Sequence, residues 1–97
     1  MTAYVIALVN VTDPDRYKEY STLAAPAVKQ YGGRFLVRGG VIEVLEGAFP
    51  FQRLVINEFP DAEQARRFYH SPEYQEARRR RLVAAEFNMI VAEGFTG

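Results

Sequence analysis

Between Glu58 and Gln75 the chain gathers Glu58, Tyr69, His70 and Tyr74, and the run Arg78-Arg79-Arg80-Arg81 follows closely. These side chains could line a pocket for a small polar molecule. Arg81 is the leading candidate. At about 100° per residue, four consecutive arginines sweep roughly 300° of a helix surface, so the run cannot lie wholly on one solvated face. Tyr74 and Arg81 lie seven residues apart and share a face with the small Ala77 and Ala85. An inward arginine either pairs with an internal carboxylate, such as Glu58, or holds an anionic ligand through two parallel charge-assisted bonds.

The other candidates each carry a plain alternative. Glu58 ends a strand and can serve as a general base, or as an ion-pair partner of Arg38 or Arg81. Arg38 precedes Gly39-Gly40, where small residues admit a ligand or a second stretch of backbone; the alternative is an exposed arginine beside a bulge. His70 is the only histidine. It ends a helix, where the dipole favours an imidazolium, and without a second His or any Cys it makes a poor metal site. Most of the tyrosines belong in a core with their hydroxyls led to partners; Tyr20 and Tyr74 are the two expected to line a cavity. The candidate ligand-binding set is therefore Arg81, Tyr74, Arg38, Glu58, Tyr20 and His70. No catalytic residue stands out, and no metal or cofactor is expected.

The positioning elements read clearly. Ala3–Asn10 is a strand. Asp13 caps a helix with Pro14 at its first position, and Tyr17, Tyr20, Ala24, Val28 and Tyr31 recur at helical spacing on its buried face. Pro26 inside that pattern predicts a kink or split near Thr22 or Leu23, and Gly32-Gly33 ends the helix. Arg34–Glu46 is a second extended region, interrupted at Gly39-Gly40 by a bulge or a close approach. Phe51–Phe59 is the third strand, stopped by Pro60. Asp61 and Gln64 form a capping box for a helix over Ala62–Tyr69. Ser71 caps a new helix with Pro72 at its first position, running to about Ala85. Phe87–Glu93 is the last strand. The order β-α-β-β-α-β, with its second helical region broken in two, is the ferredoxin-like α+β plan around a four-stranded antiparallel sheet.

The first strand is apolar on both faces: Tyr4, Ile6 and Leu8 on one, Ala3, Val5, Ala7 and Val9 on the other. Helices on one side leave the second face in need of cover. The expectation is a homodimer through the sheet faces, which Val5→Asp or Val9→Asp should disrupt.

Composition narrows the function classes. Ninety-seven residues make one domain spanning 1–97, which buries only about 60–65% of its unfolded surface and gains from a partner. Twelve basic and twelve acidic side chains cancel, so no overall field draws nucleic acid or an anionic membrane. The absence of cysteine removes disulfides, thiolate nucleophiles and thiolate metal sites. No apolar run nears the ~20 residues of a membrane span, and the N-terminus runs straight into a strand without a basic leader. A cytoplasmic protein is expected. There is no phosphate-binding glycine loop and no dinucleotide fingerprint.

Several motifs fall in a recognisable string: Tyr31-Gly-Gly-Arg-Phe-Leu-Val-Arg-Gly-Gly40, Val44-Leu-Glu-Gly, Glu58-Phe-Pro, Phe68-Tyr-His-Ser-Pro-Glu-Tyr-Gln and Ile90-Val-Ala-Glu-Gly. With this spacing over nearly the whole chain, the sequence resembles a family of small bacterial proteins known as domain of unknown function 1330. The resemblance implies the dimeric α/β-barrel superfamily, in which two ferredoxin-like sheets pack face to face and whose relatives include small monooxygenases and isomerases. Arg81 matches the arginine that follows Glu-Tyr-Gln in that family. The resemblance implies no settled activity. Three functions stay open: a small-molecule binding protein with a pocket between helices and sheet, a cofactor-free oxygenase or isomerase acting on a small acid or aromatic, and a module whose only task is dimerisation. The polar set favours the first two, and the lone histidine favours the first.

Overall fold

A computed structural model describes residues 1–96. Seven elements follow one another: β1 (Ala3–Val11), α1 (Pro14–Gln30), β2 (Arg34–Arg38), β3 (Arg53–Phe59), α2 (Ala62–His70), α3 (Pro72–Arg81) and β4 (Ala85–Glu93). The sheet runs β2-β3-β1-β4, and every neighbouring pair is antiparallel. This is the ferredoxin-like α+β fold.

Capping chemistry sets the helix starts. The Asp13 carboxylate accepts from the Arg16 amide at 3.2 Å, ahead of Pro14. The Asp61 carboxylate accepts from the Gln64 amide at 2.7 Å. The Gln64 side chain does not close the expected box. It donates instead to the Tyr31 carbonyl at 2.8 Å, which ties the start of α2 to the end of α1. The break at His70-Ser71 is present: Ser71 Oγ donates to the Phe68 carbonyl at 2.7 Å and accepts from the Tyr74 amide at 3.0 Å, closing one helix and opening the next. Gly32, at φ +83, ends α1 while the Gly33 amide returns to the Val28 carbonyl; a side chain at that φ would be strained.

Three expectations about the chain path change. The last helix ends at Arg81 rather than about Ala85, which instead opens β4 and so does not share the helix face of Tyr74 and Arg81. Pro26 does not split α1, which runs unbroken from Pro14 to Gln30. The proline is exposed, so the hydrogen bond it removes falls on the solvent side, where water can replace it. The second extended region stops at Arg38, and residues 39–52 form an irregular loop before β3 starts at Arg53. The bulge lies between Phe35 and Val37 rather than at the glycines. Gly39 provides the close approach, at φ +71, and the Arg53 guanidinium packs where its Cβ would be.

All three helices cover one face of the sheet. Ala3, Val5, Ala7 and Val9 of β1 are buried beneath them with Tyr17, Tyr20, Ala24, Val28, Phe59, Phe68 and Tyr74. Val5 and Val9 thus belong to the core and not to the uncovered face. That face carries Tyr4, Ile6 and Leu8, whose register partners Leu54, Ile56 and Ile90 extend the apolar surface; Ile90 is 58% exposed. Among the described residues no helix is long and apolar enough to cross a membrane.

Candidate functional site

Helical spacing brings Arg81 inward as expected. Two turns of α3 carry Tyr74, Ala77 and Arg81 on its buried face, while Arg79 and Arg80 reach solvent. Arg81 is only 7% exposed. Its Nη2 donates to the Tyr74 hydroxyl at 3.2 Å. Its guanidinium lies 3.7 Å from the centre of the Phe87 ring and 5.3 Å from that of Tyr20. Ring faces offset part of the desolvation of a cation. The Nε has no hydrogen-bond partner among the described residues, and no carboxylate there reaches Arg81.

Arg81 opens into a cleft of about 360 Å³ between α2, α3 and β4. Arg66, Tyr69 and His70 line it from α2, and Arg78 and Arg81 from α3. Phe87, Met89 and Val91 of β4 and Val5 of β1 make it apolar below. The spacings 66, 69, 70 and 78, 81 place each set on one helix face, and the two faces meet over β4.

A second cavity lies between α1 and the sheet. It encloses about 30 Å³, room for one or two waters. Tyr17, Tyr20, Phe35, Phe68 and Phe87 supply its aromatic walls, and Arg38, Arg53 and Asn57 its main polar lining. Asn57 is 5% exposed, yet its Oδ1 has no partner among the described residues, and neither has the Arg53 Nε. Those two atoms and the Arg81 Nε are the buried polar atoms left unpaired among the described side chains, and all three residues line one of the two cavities. Buried polar groups are nearly always paired; here two unpaired ones belong to the enclosed cavity and one to the cleft.

A wall shared by Phe87 and Met89 separates the cavities. Through it the Tyr20 and Tyr74 hydroxyls meet at 3.0 Å, and Tyr74 continues to Arg81. Burial, then the neighbouring Tyr74 phenol, pushes the Tyr20 phenol well above its ordinary value near 10. Tyr17 is pushed the same way, chiefly by burial. Both stay neutral near pH 7 and act as hydrogen-bonding groups rather than bases.

The arginines divide cleanly. Arg16, Arg34, Arg67, Arg79 and Arg80 each pair with a carboxylate. Arg38, Arg53, Arg66, Arg78 and Arg81 pair with none among the described residues, and every one of these lines a cavity. Neither cavity is lined by Asp or Glu. No group of three or more His, Cys, Asp and Glu side chains suited to a metal occurs among the described residues.

Of the candidate residues, Arg81 and His70 line the cleft, and Tyr20 and Arg38 line the enclosed cavity. Arg38 stacks over Phe35 at 4.4 Å and remains exposed. Tyr74 is fully buried between the cavities and lines neither, acting through its hydroxyl. Glu58 is apart from all of them. It lies on the uncovered sheet face, where Arg34 Nε donates to it at 2.9 Å. The alternation of β3 decides this: Arg53, Val55, Asn57 and Phe59 face the helices, so Glu58 cannot. The expected Arg81–Glu58 or Arg38–Glu58 pair is therefore absent. Arg53, Asn57 and Arg66 escaped the sequence reading. Two of them were findable, because Arg53 and Asn57 share the strand parity of the core residue Phe59.

The chain matches the model of the family described as Domain of unknown function (DUF1330) over residues 2–95. None of the curated proteins matches it. Among solved structures it is similar to a protein of unknown function from Rhodopseudomonas palustris, at 21% identity and TM-score 0.74, covering 99% of this chain and 84% of that one. It is also similar to SnoaB, a cofactor-independent oxygenase from Streptomyces nogalater, at 11% identity and TM-score 0.67, covering 99% and 95%. A dimeric protein of unknown function with a ferredoxin-like fold from Bacteroides fragilis aligns at 13% identity and TM-score 0.63, covering 96% of each chain.

Proposed function

The chain belongs to the DUF1330 family, and we propose that it uses its ferredoxin-like fold to bind a small anionic molecule in the cleft between α2, α3 and β4. The observation that carries this reading is Arg81: a buried guanidinium, held in place by Tyr74 and Phe87, that faces a cleft with no carboxylate partner among the described residues. Burying a charge costs several kcal/mol unless it is paired, and a carboxylate in the cleft would supply the missing acceptor with paired, charge-assisted bonds. Arg78 and Arg66 add positive charge at the same opening, His70 a hydrogen-bonding imidazole and Tyr69 an aromatic wall. The test is native mass spectrometry for a co-purifying ligand, followed by calorimetric titration of small carboxylates. Arg81→Met keeps the apolar stem and removes the charge; it should abolish binding while the fold persists. Unchanged binding in this variant would refute the reading.

The uncovered sheet face supports a homodimer in which two copies cover each other's Tyr4, Ile6, Leu8, Leu54, Ile56 and Ile90. The dimeric neighbour from Bacteroides fragilis is consistent with this.

The second reading is a cofactor-free oxygenase acting on a small aromatic. It rests on the likeness in fold to a cofactor-independent oxygenase; the aromatic-walled cavity beneath α1 has room only for one or two waters, so an aromatic substrate would lie in the larger cleft. Oxygen uptake by the native protein with hydroxylated aromatics would select it over the first.

A further inference from the structure

Resting on the anion-binding reading of the cleft, we infer that its ligand is a two-ended dianion: two carboxylates held apart on an apolar body. Three observations combine. The first is charge. Arg66, Arg78 and Arg81 line one cleft and none has a carboxylate partner among the described residues. A single carboxylate at Arg81 leaves two guanidiniums uncompensated beside it, and like charges in a partly dry cleft repel.

The second is depth. Arg81 is buried against Phe87, whereas Arg78 is half-buried and Arg66 and His70 are exposed. The positive charge is therefore divided between a fixed inner position and an outer rim, on two different helices. A group carrying both negative charges on one atom cluster neutralises one position and not the other.

The third is what lies between. The cleft holds about 360 Å³, much more than one carboxylate fills. Phe87, Met89 and Val91 offer that remaining space apolar surface, and Tyr69 an aromatic edge. Each methylene or ring carbon seated there adds hydrophobic burial of about 25 cal/mol per Å². The inner carboxylate meets Arg81, the body lies along β4, and the outer carboxylate meets Arg66 and Arg78.

Three probes on one skeleton test this by calorimetry on the full chain at low salt: benzoate, phenyl phosphate and isophthalate. Isophthalate should bind about tenfold or more tightly than either of the others, a difference of about 1.4 kcal/mol. Combining Arg66→Met with Arg78→Met, both away from the packed core, should weaken isophthalate about tenfold and benzoate by less, so that their ratio falls towards one. Arg81→Met should abolish both. Benzoate or phenyl phosphate binding as tightly as isophthalate would overturn the two-ended ligand and leave the anion site standing. Failure of all three to bind the native protein would overturn the anion site and this inference with it.

Discussion

Removing one oxygen atom tests the wall between the two cavities. Tyr74→Phe deletes the hydroxyl that accepts from Arg81 at 3.2 Å and meets the Tyr20 hydroxyl at 3.0 Å. The ring remains, so its packing against Phe68 at 4.7 Å and Tyr69 at 5.4 Å is kept and no cavity opens. What changes is pairing. Arg81 loses its hydrogen bond to a fully buried partner, and Tyr20 keeps a buried hydroxyl with nothing to bond. A hydrogen bond to a charged group contributes about 1.5–3 kcal/mol, and an orphaned buried hydroxyl costs about 1–3 kcal/mol. The sum is roughly 4 kcal/mol, about 15–30 °C in Tm for a domain of this size. Tyr20→Phe removes the outer hydroxyl only and leaves Tyr74 bonded to Arg81; it should cost about 1 kcal/mol. The double variant distinguishes this account from simple loss of polar atoms. With both hydroxyls gone, Tyr20 is no longer orphaned, so the double should cost about 1 kcal/mol less than the two singles added. The assay is urea unfolding of all four proteins at one fixed concentration, because a dimer's midpoint depends on it. Additive singles, or a Tyr74→Phe cost below about 0.5 kcal/mol, would refute the reasoning.

Other consequences are direct. Ser71→Ala removes a buried hydroxyl that closes α2 and caps α3, so it should cost about 2 kcal/mol, the upper range for a cap, in the same urea assay. The raised Tyr20 pKa means that the folded protein resists ionising this phenol. Its contribution is fully present below pH 10 and declines as pH rises from about 10 towards the folded value, by about 1.4 kcal/mol per pH unit; urea midpoints from pH 9 to 11.5 should fall less steeply in Tyr20→Phe. Gly39→Ala forces a side chain into φ +71 and against the Arg53 guanidinium; a loss of about 1–2 kcal/mol is expected, with Arg53 displaced in a crystal structure of the variant. Ile6→Asp, on the uncovered face, should yield folded monomer in sedimentation, whereas Val5→Asp, under the helices, should lose its circular dichroism signal.

Local rules explain how much of the fold the sequence disclosed. Caps at Asp13, Asp61 and Ser71, prolines at first helical positions and the Gly32 terminator act over three or four residues, so spacing alone reveals them. Helical periodicity likewise turned Arg81 inward beside Tyr74. Strand parity was equally available, and it separates Glu58 from Asn57 even though they are adjacent in the chain. The end of β2 at Arg38 was harder, because Val41, Ile42, Val44 and Leu45 look like strand residues. Extended propensity yields a strand only where a neighbour supplies hydrogen bonds, and β3 begins too late in the chain to pair with them.

The partners of the inward groups lay beyond sequence. Some ion pairs are local, such as Arg67–Glu63 and Arg79–Glu76, but others join side chains tens of residues apart: Arg34 finds Glu58 across two strands and Arg80 finds Glu19 across two helices, while Arg81 finds Phe87 and Tyr74 instead. A sequence shows that a charge points inward; only the packed structure shows whether it meets a counter-charge. Coulomb and hydrogen-bond energies depend on separations of a few ångströms and on local burial, and those are set when the helices dock on the sheet. Sequence alone therefore determined the elements, their order and the inward turn of Arg81. The tertiary structure decided that Arg81 would face a cleft unpaired among the described residues, because docking brought aromatic rings and further arginines to it, and none of their carboxylates.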